Sequence, residues 1–145
     1  MKLFFKATII FVLFCLAQNS YAQVGISYST GHIVGVDFPL VKNNYTLIGQ
    51  VKLFANRDFD DLSGEFDLLY KFSSREYHRF FVGVGFKTDV SSEDEAALTI
   101  PLCLEIFPFQ DFKRFSVVFE VAPEIYFEGD QTLRSILGVK YTLGE

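Results

Sequence analysis

The 145-residue chain is half hydrophobic and 17% aromatic, with 18 Phe, 7 Tyr and no Trp, and its formal net charge is −5. That acidity excludes a nucleic-acid partner, which selects a basic face, and the length fits one domain. Mean hydropathy is +0.24, yet no long apolar block follows the N-terminus, so the apolar side chains must be spread through strands.

Residues 1–22 read as a helical secretory signal peptide. Lys2 and Lys6 form the positive n-region, Ala7 to Ala17 the apolar core and Ser20-Tyr21-Ala22 a small-x-small cleavage site. The core is too short to span a bilayer as a helix. Bulky Phe14 before Cys15 argues against a lipid anchor there. Cleavage leaves residues 23–145 as the β-barrel domain, takes the net charge to −7 and leaves Cys103 with no partner for an internal disulfide.

Eight runs then alternate apolar and polar with period two, the signature of half-buried strands. They cover roughly 24–29, 33–40, 45–55, 62–72, 77–88, 96–107, 115–127 and 131–143, separated by turn-rich breaks such as Thr30-Gly31, Lys42-Asn43-Asn44 and Glu128-Gly129-Asp130. No break is long enough for a parallel crossover, so neighbours pair as antiparallel hairpins. The first two runs are short, so either the strands extend beyond them or the wall is low on that side.

The charges fall on one parity. Asp37, Glu65, Asp67, Glu105, Glu120 and Glu124 share it with Lys52, Lys71, Arg79, Lys87, Arg134 and Lys140, six of each sign. The other parity, with Val36, Val51, Phe66, Val84, Leu102, Phe119 and Val139, carries no charge inside any run. Two barrels fit. A soluble lipocalin-like barrel turns the apolar face inward to bind an apolar ligand; a membrane barrel turns it to lipid and encloses the charges. The second is favoured, because eight strands leave an interior only just wide enough for side chains. Gly25, Gly35, Gly83, Gly85 and Gly138 on the charged parity would relieve crowding there. Twelve charges summing to zero suit a paired network better than a solvated surface, where pairs contribute little. The expected fold is all-β: an eight-stranded antiparallel up-and-down transmembrane barrel, closed because lipid tolerates no free sheet edge.

The C-terminal Gly138-Val139-Lys140-Tyr141-Thr142-Leu143 resembles the signal read by the barrel-assembly machinery of Gram-negative bacteria, with Gly138, Tyr141 and Leu143 as its key positions. The stretch from Ile100-Pro101 through Pro108-Phe109 to Glu120-Val121-Ala122-Pro123 is similar to the small porin-like outer-membrane β-barrel family. The resemblance implies an outer-membrane location, a monomer in outer-membrane lipid and a final strand ending in the periplasm; it implies no activity. Tyr45, Tyr70, Phe72, Phe109, Phe112, Phe115 and Tyr141 then form an interfacial girdle at the periplasmic end. The opposite loops carry Asp58, Asp60, Asp61, Asp89, Glu93, Asp94, Glu95, Glu128 and Asp130 against Arg57, a rim read as serving solubility, with cation or lipopolysaccharide bridging as the alternative.

Catalytic chemistry finds little support. His78 lies at the periplasmic end and His32 at a hairpin tip without an acidic orienter. Asp58-Phe59-Asp60-Asp61 departs from calcium-loop spacing, and Cys103 is expected to pack inertly among small residues. Glu105, Glu120 and Glu124 are expected to pair with cations, chiefly Glu120 and Glu124 with Arg134 and Lys140, since a lone buried charge is costly. The sequence therefore predicts no enzyme, cofactor or metal, but an exported barrel with a charge-paired, non-conducting lumen and a structural, adhesive or interaction role. The alternatives are a soluble ligand-binding barrel and a narrow pore.

Overall fold

The structure is a computed structural model that describes residues 23–41, 46–55, 62–89 and 96–143. Residues 1–22, read above as a signal peptide, Tyr45, Asp58-Phe59-Asp60-Asp61 and the acidic residues of 56–61 and 90–95 lie outside the described residues. Nine strand segments follow: β1 (Val24–Ser29), β2 (Ile33–Pro39), β3 (Leu47–Ala55), β4 (Leu62–Ser74), β5 (His78–Asp89), β6 (Ala96–Thr99), β7 (Leu102–Ile106), β8 (Phe115–Tyr126) and β9 (Gln131–Leu143).

β6 and β7 are halves of one wall strand, which had been expected to run unbroken from Ala96 to Phe107. Pro101 interrupts it because proline has no N–H to give to the ladder. Carbonyls carry the pairing across the break: Gly83 N–H donates to Pro101 O at 2.9 Å and Ile100 N–H to Pro123 O at 3.1 Å. The alternation survives, with Leu98, Ile100 and Leu102 all outward and exposed. All neighbours pair antiparallel, and β1 pairs with β9, so the eight strands close into a barrel.

The register gives the barrel its shape. Starting from Tyr141 on β9, successive partners are Ile26, Val36, Val51, Phe66, Phe86, Leu98 and Ile125, and the path returns to β9 at Gln131, ten residues away. A shear of that size over eight strands requires a strand tilt of roughly 40° and leaves room inside for side chains alone. Every residue on that path belongs to the apolar parity. One slip by a single residue would turn the whole set inward.

Side-chain direction follows the sequence pattern. Leu102, Phe119 and Val139 are outward and 51%, 42% and 45% exposed, whereas Glu120 is inward and 2% exposed. β4 runs on to Ser74, beyond the expected end at Phe72, through a register shift between Lys71 and Ser73. This bulge keeps Phe72 outward, its ring 5.8 Å from that of Phe80. β1 and β2 are the shortest full wall strands, at six and seven residues. Their turn is tight: Gly31 and His32 both have positive φ, 80° and 58°, a conformation glycine adopts freely and histidine rarely.

Candidate functional site: the charged lumen

The inward parity of eight strands converges on the barrel axis, and eleven of the twelve charged residues on it form ion pairs. They make two clusters. In the one nearer the β1–β2 turn, Lys52 Nζ lies 3.0 Å from Glu65, 2.7 Å from Asp67 and 2.7 Å from Glu120. Arg134 grips both oxygens of Glu65, at 2.6 and 2.7 Å, and reaches Glu120 at 2.9 Å and Glu124. Lys87 meets Glu124 from the far side at 3.3 Å. Three cations thus hold four carboxylates.

In the cluster nearer the termini, Lys140 bridges Asp37 at 3.1 Å and Glu105 at 2.7 Å, and Arg79 lies 3.9 Å from Glu105. Lys140 had been expected to serve Glu120 or Glu124. It sits too near the terminal end of β9 and instead pairs across β1, where Gly25 leaves the way clear. A Cβ on Gly25 would stand 3.1 Å from Lys140 and 3.3 Å from Asp37. Lys71 shares this end and has no ion pair among the described residues. Between the clusters lies an apolar layer of Leu69, Phe81 and Cys103, with Ile48 against it. The sequence placed Cys103 in the lumen among small residues; it packs instead against large apolar ones, and its thiol donates to Glu120 Oε2 at 3.4 Å.

Uncharged groups extend the network, and all share the charged parity, so alternation alone would have found them. Gln50 donates to Asp37 at 2.6 Å, Ser116 to Glu105 at 2.7 Å, Thr99 to Asp67 at 3.3 Å and Tyr126 to Glu124 at 2.7 Å. Phe54 lies under both Lys87 and Arg134, each 4.8 Å from its ring centroid. Arg79 lies over Phe107 at 4.6 Å. These contacts matter because a buried charge needs every lone pair and proton satisfied before its desolvation is offset.

The Thr99–Asp67 bond passes over Gly85, the residue between them in the register. A Cβ there would fall 1.8 Å from Asp67 Oδ1 and 2.4 Å from Thr99 Oγ1. Gly85→Ala is therefore expected to destabilise the barrel by about 1–3 kcal/mol through overpacking, while Gly64→Ala, where a Cβ meets nothing within 4 Å, should be near neutral apart from strand propensity. Denaturant titration of the two variants checks this; equal losses would mean that the lumen relaxes around the added methyl.

Outside the lumen, Tyr141 and Leu143 of the C-terminal stretch point outward, and Gly138 packs against β1, where a Cβ would stand 2.8 Å from Tyr28 O. Aromatic rings gather at the end that carries the termini: Phe112 lies 6.1 Å from Tyr141 and Phe109 6.1 Å from Phe115. His78 stacks edge-on against Phe80, and His32 meets Tyr28 Oη at 3.1 Å. Among the described residues no group of His, Cys, Asp and Glu is arranged to hold a metal ion. Each lumen carboxylate lies against at least one cation, an arrangement that fixes charge in place. Compared with known protein families, with curated proteins and with solved structures, the chain matches none of them.

Proposed function

We propose that the chain is an outer-membrane β-barrel protein with a charge-paired, closed lumen and a structural, adhesive or interaction role. One observation carries this reading: apolar side chains coat the barrel wall all the way round, and the charges occupy its bore. That inverts the arrangement water favours. Exposing so large an apolar surface to water costs roughly 25 cal/mol per Å², and a contiguous apolar patch of this extent marks a lipid or protein contact. The aromatic cluster at the terminal end suits an interfacial girdle, and the C-terminal resemblance supports insertion by the barrel-assembly machinery. In this reading the protein is exported through a cleaved signal peptide and stands in the membrane as a monomer.

A closed lumen is supported by packing. Leu69, Phe81 and Cys103 pack together on neighbouring strands between the two clusters, and three hollows along the bore have volumes of about 40, 10 and 20 Å³ among the described residues. Those spaces hold a water or two, not a hydrated ion path or an apolar ligand. Cell fractionation is the first test. The protein is expected in the membrane pellet after high-salt washing and to need detergent for release; recovery in the soluble fraction would favour the ligand-binding barrel instead. In planar bilayers no steady conductance is expected, and regular steps of porin size would reject the closed lumen.

A further inference from the structure

The wall is uneven in height. β8 and β9 pair up to Ile125 and Gln131, and β8 is also paired with β6 as far as Tyr126. β9 pairs with β1 only from Gly138 towards the termini. The ladder ends at Thr30, whose N–H donates to Leu137 O at 2.8 Å and whose Oγ1 accepts the Leu137 N–H at 3.2 Å. Backbone groups of alternate residues point to the same neighbour, so those of Ser135, Leu133 and Gln131 point, like those of Leu137, into the gap above the β1–β2 turn. Among the described residues they have no hydrogen-bond partner. The gap lies within the apolar band: Leu133 is outward and 71% exposed, and Ile125 and Phe127 point outward at or beyond its level.

We infer that this gap takes one extended segment of another polypeptide, which pairs with the β9 edge and completes the wall. The inference rests on the membrane reading, because in water the edge would simply be solvated. In lipid each unpaired N–H or C=O costs several kcal/mol, and an acyl chain filling the gap offers neither donor nor acceptor. A second copy inserted in the same sense does not fit. Its own β9 would lean the opposite way at the contact, and tilts of roughly 40° each make the two edges cross. The segment that fits is about five residues long. Its outward side chains beside Leu133 and Ser135 face lipid and are apolar. Its inward ones beside Ile136 and Arg134 are uncharged, since Arg134 already has three carboxylates. Strand addition of this kind draws affinity from backbone hydrogen bonds and selectivity from the alternating side chains.

The test is NMR on the refolded full barrel in lipid nanodiscs, with a heptapeptide alternating Thr and Val as probe. Cross-strand NOEs between the amides of Gln131, Leu133 and Ser135 and the peptide backbone are expected. Leu133→Pro removes a free donor without touching the β8 ladder and should abolish them; Ser135→Pro repeats the test if that variant does not fold. NOEs from these amides to other residues of the barrel alone, no NOE at saturating peptide, or peptide binding retained by the proline variants would each overturn the inference, as would cross-linking from position 133 to lipid alone. A barrel that fractionates with membranes and yet fails here loses only this inference, whereas one recovered as a soluble protein loses the membrane reading itself.

Discussion

Arg134→Met is expected to cause the largest loss of stability of any single lumen substitution, about 3–5 kcal/mol, the range for breaking a buried ion pair by removing one partner. The guanidinium is the common partner of Glu65, Glu120 and Glu124, and it ties β9 to β4 across the bore. Its planar fork matches the Glu65 carboxylate with two parallel bonds, a geometry that a lysine cannot reproduce. Without it, Lys52 must serve Glu65, Asp67 and Glu120 as their one cation, and Glu124 keeps Lys87 beside the hydroxyls of Tyr126 and Thr132. Thermal unfolding in detergent, read as the loss of the compact band on unheated gels, measures the effect. Lys140→Met supplies a contrast: it strands two carboxylates, Asp37 and Glu105, the second still 3.9 Å from Arg79, and should cost less. Adding Glu65→Gln to Arg134→Met should recover part of the loss, because it removes one of the stranded charges. If Arg134→Met unfolds with the wild type, the carboxylates are solvated or protonated and the network contributes nothing to holding the wall.

The barrel was legible in the sequence because alternation is a local signal. Each of the eight runs declares its two faces without reference to any neighbour, and hairpin-length breaks leave one antiparallel topology. What could not be read is whatever depends on register. The pairing of Lys140 with Asp37 requires knowing that Gly25 stands between them and that the shear brings those heights together. The same strand-skipping logic puts Thr99 on Asp67 over Gly85. The break at Pro101 was in plain view as a residue, but its consequence was not, since the outward parity of Ile100 and Leu102 continues across it. The apolar layer was missed for a related reason. Leu69 and Phe81 lie on the charged parity of their strands, and only the closed barrel reveals that they meet Cys103 between the two clusters. The short runs of β1 and β2 left open whether the strands were longer or the wall low; the pairing shows strands of six and seven residues. That β9 has an edge unpaired among the described residues beside them followed only from the pairing pattern.

The location of the apolar belt yields the most discriminating measurement. Leu102→Arg places a guanidinium on the outer face near mid-height, where Leu102 pairs with Val82 and Val121. If that face lies in hydrocarbon, the substitution should cost about 2–4 kcal/mol, the penalty for a cation near the midplane of a membrane barrel. If the face meets water, the cost should stay within about 0.5 kcal/mol, as for an ordinary surface change. Phe127→Arg is the internal control. It sits past the end of β8, at the rim, where the depth dependence predicts about 0–1 kcal/mol. Denaturant titration of both variants in lipid vesicles gives the difference, which is what matters, because the two share the same loss of an apolar side chain and the same gain of a charge. A gap of 2 kcal/mol or more between them means that a depth gradient acts on the wall, and only a bilayer supplies one. Equal and small costs would leave the outward leucines and phenylalanines needing a protein partner to cover them, and the membrane reading would fall with that result.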